Sequence, residues 1–233
     1  MAVRFGLNQA AYIESAVVDA YPFTLACWFR VRTVALDHPL MWVGDKDVAD
    51  YCCWLEARGS AVGDPLRALA HKHEAANYRE ALKTAFTAET WYHGAALFTG
   101  NASRQSLLDG VAGAANTNAG GSPAGYDRTA LGALMDSTAA YANWQEIAYA
   151  AIWSIAQTPT VIADLAAGAC PLNYPDNLEA FWPLGGEYGE NYLDRSGNGH
   201  DLTTLGTPTF VDDPPLLPYR LPLGTQEAQV FGW

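Results

Sequence analysis

The sequence predicts an all-β protein, an antiparallel sandwich of two stacked sheets, and three observations carry that prediction. Residues 23–32 alternate strictly: Phe23, Leu25, Cys27, Phe29 and Val31 share one face, and Thr24, Ala26, Trp28, Arg30 and Arg32 share the other. Period two with one bulky apolar face is the pattern of a half-buried strand. Residues 181–184 read as a short aromatic strand, Ser196-Gly197-Asn198-Gly199 as a turn that tolerates positive φ, and Leu202 as the start of another apolar segment. Strand, turn and strand outline a hairpin, the unit from which sandwiches are built. Finally, 233 residues, half of them hydrophobic, suit one undivided sandwich with a sizeable core.

The other elements follow in order. Residues 40–44 and 51–57 are strands separated by the polar turn that runs from Asp45 to Asp50. A second turn over residues 59–65 leads into a strand over 66–73. Residues 74–86 combine strong helix formers with a position where a sandwich wants a strand; a short strand over 81–86 fits the fold better. Residues 89–98 form the next strand, and Asp109-Gly110 supplies the chemistry of a tight turn after residues 106–108. Residues 116–125, rich in Asn, Gly, Ser and Pro, are a loop, and residues 129–135 the strand beyond it. Over residues 143–157, Ile147, Tyr149, Trp153 and Ile155 are expected on one face, against Ala148, Ala150, Ser154 and Ala156 on the other. Thr158-Pro159 is an N-cap followed by proline at the first helical position, and Gly168 sits where a C-terminal glycine belongs. A short helix over residues 159–167 follows.

Four of these segments together resemble the LamG-like, concanavalin A-type jelly-roll superfamily. Trp182-Pro183-Leu184, followed by Asp194 to Asp201, is similar to its W-P-L … D-x-S-G-N-G-x-D signature. The run from Trp91 through His93 resembles its W-x-H-v-A strand, residues 106–111 its l-Y-v-D-G hairpin, and the strand, helix and glycine of residues 143–168 a further family segment. The resemblance covers most of residues 20–212. It implies a jelly-roll domain over residues 1–211. From residue 212 the sheet periodicity is lost, and a proline-rich stretch favours an extended arm over 212–233. Leu216, Leu217, Phe231 and Trp233 are that arm's candidate docking groups.

Charge and motifs exclude several functions. The 13 basic side chains against 25 acidic ones form no cluster, which argues against nucleic acid. The start of the chain lacks the charged, apolar character of a secretory signal, and its longest apolar run is too short to cross a bilayer. Cys27, Cys52, Cys53 and Cys170 have no metal-binding spacing and read as free buried thiols. Phosphate-loop and dinucleotide fingerprints are missing, and Gly120 to Gly125 fails the serine-hydrolase elbow because Ala124 stands where that motif ends its core. Glycoside hydrolases need two carboxylates at a set separation; Glu56 and Glu146 are solitary on their strands, and Glu187 and Glu190 lie in a loop. His71 and His73 share a strand face but lack a third ligand and read as solvated; His93 reads as packed and hydrogen-bonded. Asp45, Asp47 and Asp50 are candidate calcium ligands, with an Asp-rich turn as the default, so no cofactor is required. Asp194 and Asn198 are expected to brace their own turn.

Trp28 lies on the polar face of its strand. There it either stacks on a sugar ring, packs under a neighbouring subunit or is covered by a loop; Trp42 and Trp54 are further contact candidates. The resemblance implies a non-catalytic virion structural protein, a capsid decoration or tail-associated protein of a phage. Such a protein would be made in a host cytoplasm, bound to capsid or tail protein and assembled as a homo-oligomer, a trimer being the expectation. Its alternative is a carbohydrate-binding adhesin or lectin module with a cell-surface glycan as ligand.

Overall fold

In the computed structural model, residues 2–71, 78–137, 143–185, 192–212 and 214 are described. Two antiparallel sheets stack with one short helix against the outside of the first. Strands β1 (Ala2–Phe5), β3 (Phe23–Val31), β8 (Tyr92–Gly100), β9 (Ser103–Leu108), β10 (Val111–Ala112), β12 (Gln145–Trp153), β13 (Leu178–Trp182) and β15 (Thr209–Val211) make the first sheet. The second holds β2 (Ala10–Ile13), β4 (Asp37–Gly44), β5 (Cys52–Arg58), β6 (Leu66–His71), β7 (Arg79–Lys83), β11 (Arg128–Leu131) and β14 (Thr203–Leu205). The order across the first is β10-β9-β8-β3-β12-β1-β15, and across the second β14-β2-β11-β4-β5-β6-β7. This is the jelly-roll sandwich that the sequence predicts.

The alternation of residues 23–32 sorts side chains as expected. Phe23, Leu25, Cys27, Phe29 and Val31 enter the core between the sheets, while Ala26 and Trp28 join an outer cluster. Of the ambiguous segment 74–86, residues 74–77 lie outside the described residues, and the rest holds β7, centred earlier than expected. Helix α1 (Pro159–Ala166) starts as predicted: Thr158 caps it, its hydroxyl accepting the Val161 N–H at 3.3 Å, and Gly168 closes it at φ 97°. Ile162 and Leu165 bury its apolar side against the first sheet.

Two expectations need correction. The aromatic strand and the segment after the glycine turn are not a hairpin: β13 pairs with β12 in the first sheet, and β14 pairs with β2 in the second. The turn is a crossover between layers, which places Trp182 in the core, its indole N–H donating to the His200 carbonyl at 2.7 Å. The crossover is braced from within. Asp194 accepts the Phe181 and Ser196 N–H groups at 2.9 and 2.8 Å, and Asn198 donates to the Leu178 and Glu179 carbonyls. The second correction concerns β12. Tyr149 sits at φ 51°, and pairing with β3 shifts register between Ala148 and Ala151. The bulge adds one residue and reverses the faces beyond it. Ile147, Ala150 and Ile152 face the core, whereas Tyr149 and Trp153 face outward under α1. At this point the edge of β12 passes from β1, paired over 145–147, to β13, paired over 150–153.

Candidate functional site

The outer face of the first sheet divides into a covered and an open half. Helix α1 and the turn Pro171–Asn173 cover the half that holds Trp28, Tyr149 and Trp153, leaving a cavity of only about 10 Å³ beside His93. That is the size of one water molecule. Trp28 is 4% exposed and meets His93 edge-on at 5.7 Å. His93 is packed as expected, but its Nδ1 has no hydrogen-bond partner among the described residues, and burial lowers its pKa to about 3.

The open half is built by register. Arg30 on β3, Glu146 on β12 and Arg4 on β1 stand side by side across three strands. Glu146 is buried, its side chain 1% exposed, and both arginines lie over it at 23% exposure. Arg4 donates from Nε and Nη2 to one carboxylate oxygen at 2.8 and 2.6 Å, and Arg30 donates from Nε to the other. The row extends to Trp91, whose ring lies 5.2 Å from the Arg30 guanidinium carbon and whose buried indole N–H has no hydrogen-bond partner among the described residues. One step along the strands stands Trp144, 45% exposed. Its ring lies against Gly6, where a Cβ would stand 3.1 Å from it, a close approach for which glycine leaves room. Gln9 holds this corner, accepting the Gly6 N–H at 2.7 Å and donating to the Thr207 carbonyl at 3.1 Å.

The outer face of the second sheet has a different balance. Arg67 joins the buried Glu56 and reaches Glu80 at 3.1 Å, with Arg58 also on Glu80. Two guanidiniums there meet two carboxylates. Burial, and the nearby Asp37, raise the Glu56 pKa against the pull of Arg67. Trp42 and Trp54 are buried beside this row, in a cluster with Cys52, Leu69 and Met135, and Arg67 lies over the Trp54 ring. Trp28, Trp42 and Trp54 are thus all packed within the chain and offer no exposed aromatic platform; among the described residues the exposed tryptophan is Trp144. Its signal in the sequence, the glycine opposite it, becomes readable only once β1 and β12 are paired.

The Asp-rich turn also rearranges. Asp45 and Asp47 converge with Asp127, their carboxylate oxygens within 4.8 Å of one another. Asp50 turns away, toward the His71 Nδ1 at 3.6 Å, and its N–H donates to Asp136 at 2.9 Å. Lys46 enters the group, donating from Nζ to Asp47 at 3.0 Å and to Asp127, so one ammonium offsets part of the charge of the three carboxylates. Burial opposes ionisation of Asp127, but Lys46 outweighs it and holds its carboxyl below the usual range. His71 is buried and stacked on Tyr78 at 4.1 Å rather than solvated. His73, Glu187, Glu190 and the arm residues Leu216, Leu217, Phe231 and Trp233 lie outside the described residues. All four cysteines are free and buried, and burial pushes the Cys53 thiol up to about 11, far from a nucleophile's range.

The fold defines a class, the antiparallel two-sheet jelly-roll sandwich, and solved structures are similar to this chain. A native heptameric SAP-like pentraxin from Limulus polyphemus aligns with a TM-score of 0.55 and 10% identity, over 71% of this chain and 82% of that one. A putative carbohydrate binding protein from Bacteroides ovatus gives 0.56 and 18%, over 90% and 62%. The CBM40 of the Ruminococcus gnavus IT-sialidase, solved with α2,3 sialyllactose, gives 0.58 and 10%, over 71% and 95%. At these identities the likeness is one of fold. No family model and no curated protein matches the chain.

Proposed function

We infer that the protein is a non-catalytic carbohydrate-binding module, the second of the two functions considered from the sequence. The observation that carries this is the open half of the first sheet. There the exposed Trp144 borders the fixed guanidiniums of Arg4 and Arg30, which pairs an apolar sugar-stacking face with hydrogen-bond donors for sugar oxygens. The absence of catalysis rests on the two strand glutamates. Glu56 and Glu146 project from opposite outer faces of sheets that stack roughly 10 Å apart, further than a hydrolase's carboxylates stand, and each is engaged by arginine. Solved relatives of this fold, including the Bacteroides protein and the CBM40 with its sialyllactose, support the glycan reading. The virion role and the capsid partner rest on the family resemblance and the chain's organisation, and the trimer on the closed symmetry usual for homo-oligomers and the three-fold positions of capsid surfaces; light scattering on the purified protein tests the trimer. For the glycan reading, the test is a glycan array probed with the whole chain and with Trp144→Ala. Retention of some saccharide class by the wild type, with loss in the variant, is expected. Wild-type binding to no saccharide at all would refute the function, and hydrolysis of a bound glycan would refute its non-catalytic character.

A further inference from the structure

Two guanidiniums on one carboxylate leave a charge unmatched, and the place where that happens is informative. The chain carries 25 acidic side chains against 13 basic ones, yet at the Arg4–Glu146–Arg30 row the sign reverses. Glu146 is sealed beneath the arginines, so what faces outward is guanidinium. Arg32, exposed just past the end of β3, adds positive charge nearby. The comparable row on the other sheet is balanced, two arginines against Glu56 and Glu80, so a surplus of cations is not a general feature of the outer faces.

The surplus is also positioned. Glu146 takes the Nε of both arginines and one Nη of Arg4. The second Nη of Arg4 and both Nη groups of Arg30 have no hydrogen-bond partner among the described residues. A guanidinium oriented through Nε presents its remaining N–H groups as a planar fork, which matches a carboxylate and is wasted on a neutral hydroxyl. Burial of Glu146 fixes that orientation before a ligand arrives, which lowers the ordering cost of binding. Trp91 backs Arg30 from below, and Trp144 borders the row with its ring laid on Gly6.

The geometry points to a saccharide bearing a carboxylate, such as a hexuronic acid, as the ligand of this face. Its carboxylate is taken by the free Nη groups of Arg4 and Arg30, and a pyranose ring stacks on Trp144. Across the row from Trp91 to Arg4 there are three strand steps, roughly 14 Å at the usual spacing, the footprint of a short oligosaccharide. This assignment rests on the carbohydrate-binding reading and narrows it to an acidic substrate class.

Calorimetric titration of the whole chain with trigalacturonic acid, with the corresponding neutral galactose trisaccharide and with a sulfated galactose trisaccharide separates the possibilities. The acidic trisaccharide should bind about tenfold or more tightly than the neutral one, with an affinity that falls as salt is raised. Arg4→Lys keeps the charge over Glu146 but removes the fork, and should lose most of the preference for the carboxylate. Trp144→Ala, at an exposed position that leaves the ion network intact, should weaken binding of the acidic ligand about tenfold, and far-ultraviolet circular dichroism verifies that both variants fold. Equal affinity for the neutral and acidic sugars would overturn the acidic assignment while leaving carbohydrate binding in place. So would tighter binding of the sulfated sugar, or acidic binding unchanged in both variants. Failure to bind any of the three, together with an empty glycan array, would instead remove the carbohydrate reading itself.

Discussion

Trp28 shows how much a single side chain's surroundings decide. By strand alternation it belongs to the polar face with Thr24 and Arg30, and as a surface residue its replacement by serine would weaken only an assembly. Its actual neighbours are Ala148, Ala151, Trp153, His93 and helix α1. Trp28→Ser is therefore expected to cost about 3–5 kcal/mol of stability, as buried tryptophan truncations do, measured by urea denaturation; a loss below about 1 kcal/mol would contradict its burial. His93, packed beside it, yields a pH dependence. Burial holds its folded pKa near 3, below the ordinary value of roughly 6.5 in the unfolded chain. Its contribution to stability is complete above pH ~6.5 and is lost as pH falls from there toward 3, because the unfolded state takes up the proton first. His38, also lowered by burial, acts in the same sense, while burial raises Asp109, which works the other way. The His93→Gln variant should accordingly lose less stability than wild type between pH 6.5 and 4, compared by denaturant midpoint at each pH. Parallel curves would show that the imidazole does not report.

At the scale of elements, the helix and the bulge make a contrast. The cap, proline and terminal glycine of α1 are local chemistry, and the helix stands where they put it. Thr158→Ala removes a hydroxyl acceptor from the first turn and is expected to destabilise the protein by about 1 kcal/mol. Because α1 roofs the cluster around Trp28, amide exchange in the helix should accelerate more than exchange in the second sheet; uniform acceleration would mean that α1 does not open separately. The bulge at Tyr149 has no such local signature. Ile147 and Trp153 belong to one face by parity, and only the change of partner from β1 to β13 requires an extra residue between them. The glycine turn at residues 196–199 is of the same kind. Its residues announce a turn, and Asp194 and Asn198 do brace it, but nothing local says that the chain leaves one sheet for the other.

The whole molecule is held by pairings between distant segments. Strand β1 lies between β12 and β15, and β3 between β8 and β12, so the centre of the first sheet assembles only after most of the chain is present. Loop-closure entropy must be met before these contacts form. Refolding from denaturant is expected on a timescale of about milliseconds to seconds, followed by tryptophan fluorescence in a stopped-flow instrument. Complete recovery within the instrument's mixing time would show that local contacts dominate.

What the sequence by itself determined is whatever depends on neighbours along the chain. The period-two alternation of residues 23–32, the caps of α1, the Asp109-Gly110 turn and the burial of four free thiols were legible because strand parity, turn chemistry and hydrophobicity act over a few residues. The jelly-roll class followed from their order. Tertiary structure alone decided which outer face each half-buried strand was given. It hid Trp28, Trp42 and Trp54, exchanged Asp50 for Asp127 beside Lys46, and set Arg4, Arg30 and Glu146 in one row with Trp144 resting on Gly6. Arg4, Gly6 and Arg30 stand more than a hundred positions from Glu146 and Trp144, and their charges and rings acquire meaning only from antiparallel register, which a local pattern does not encode.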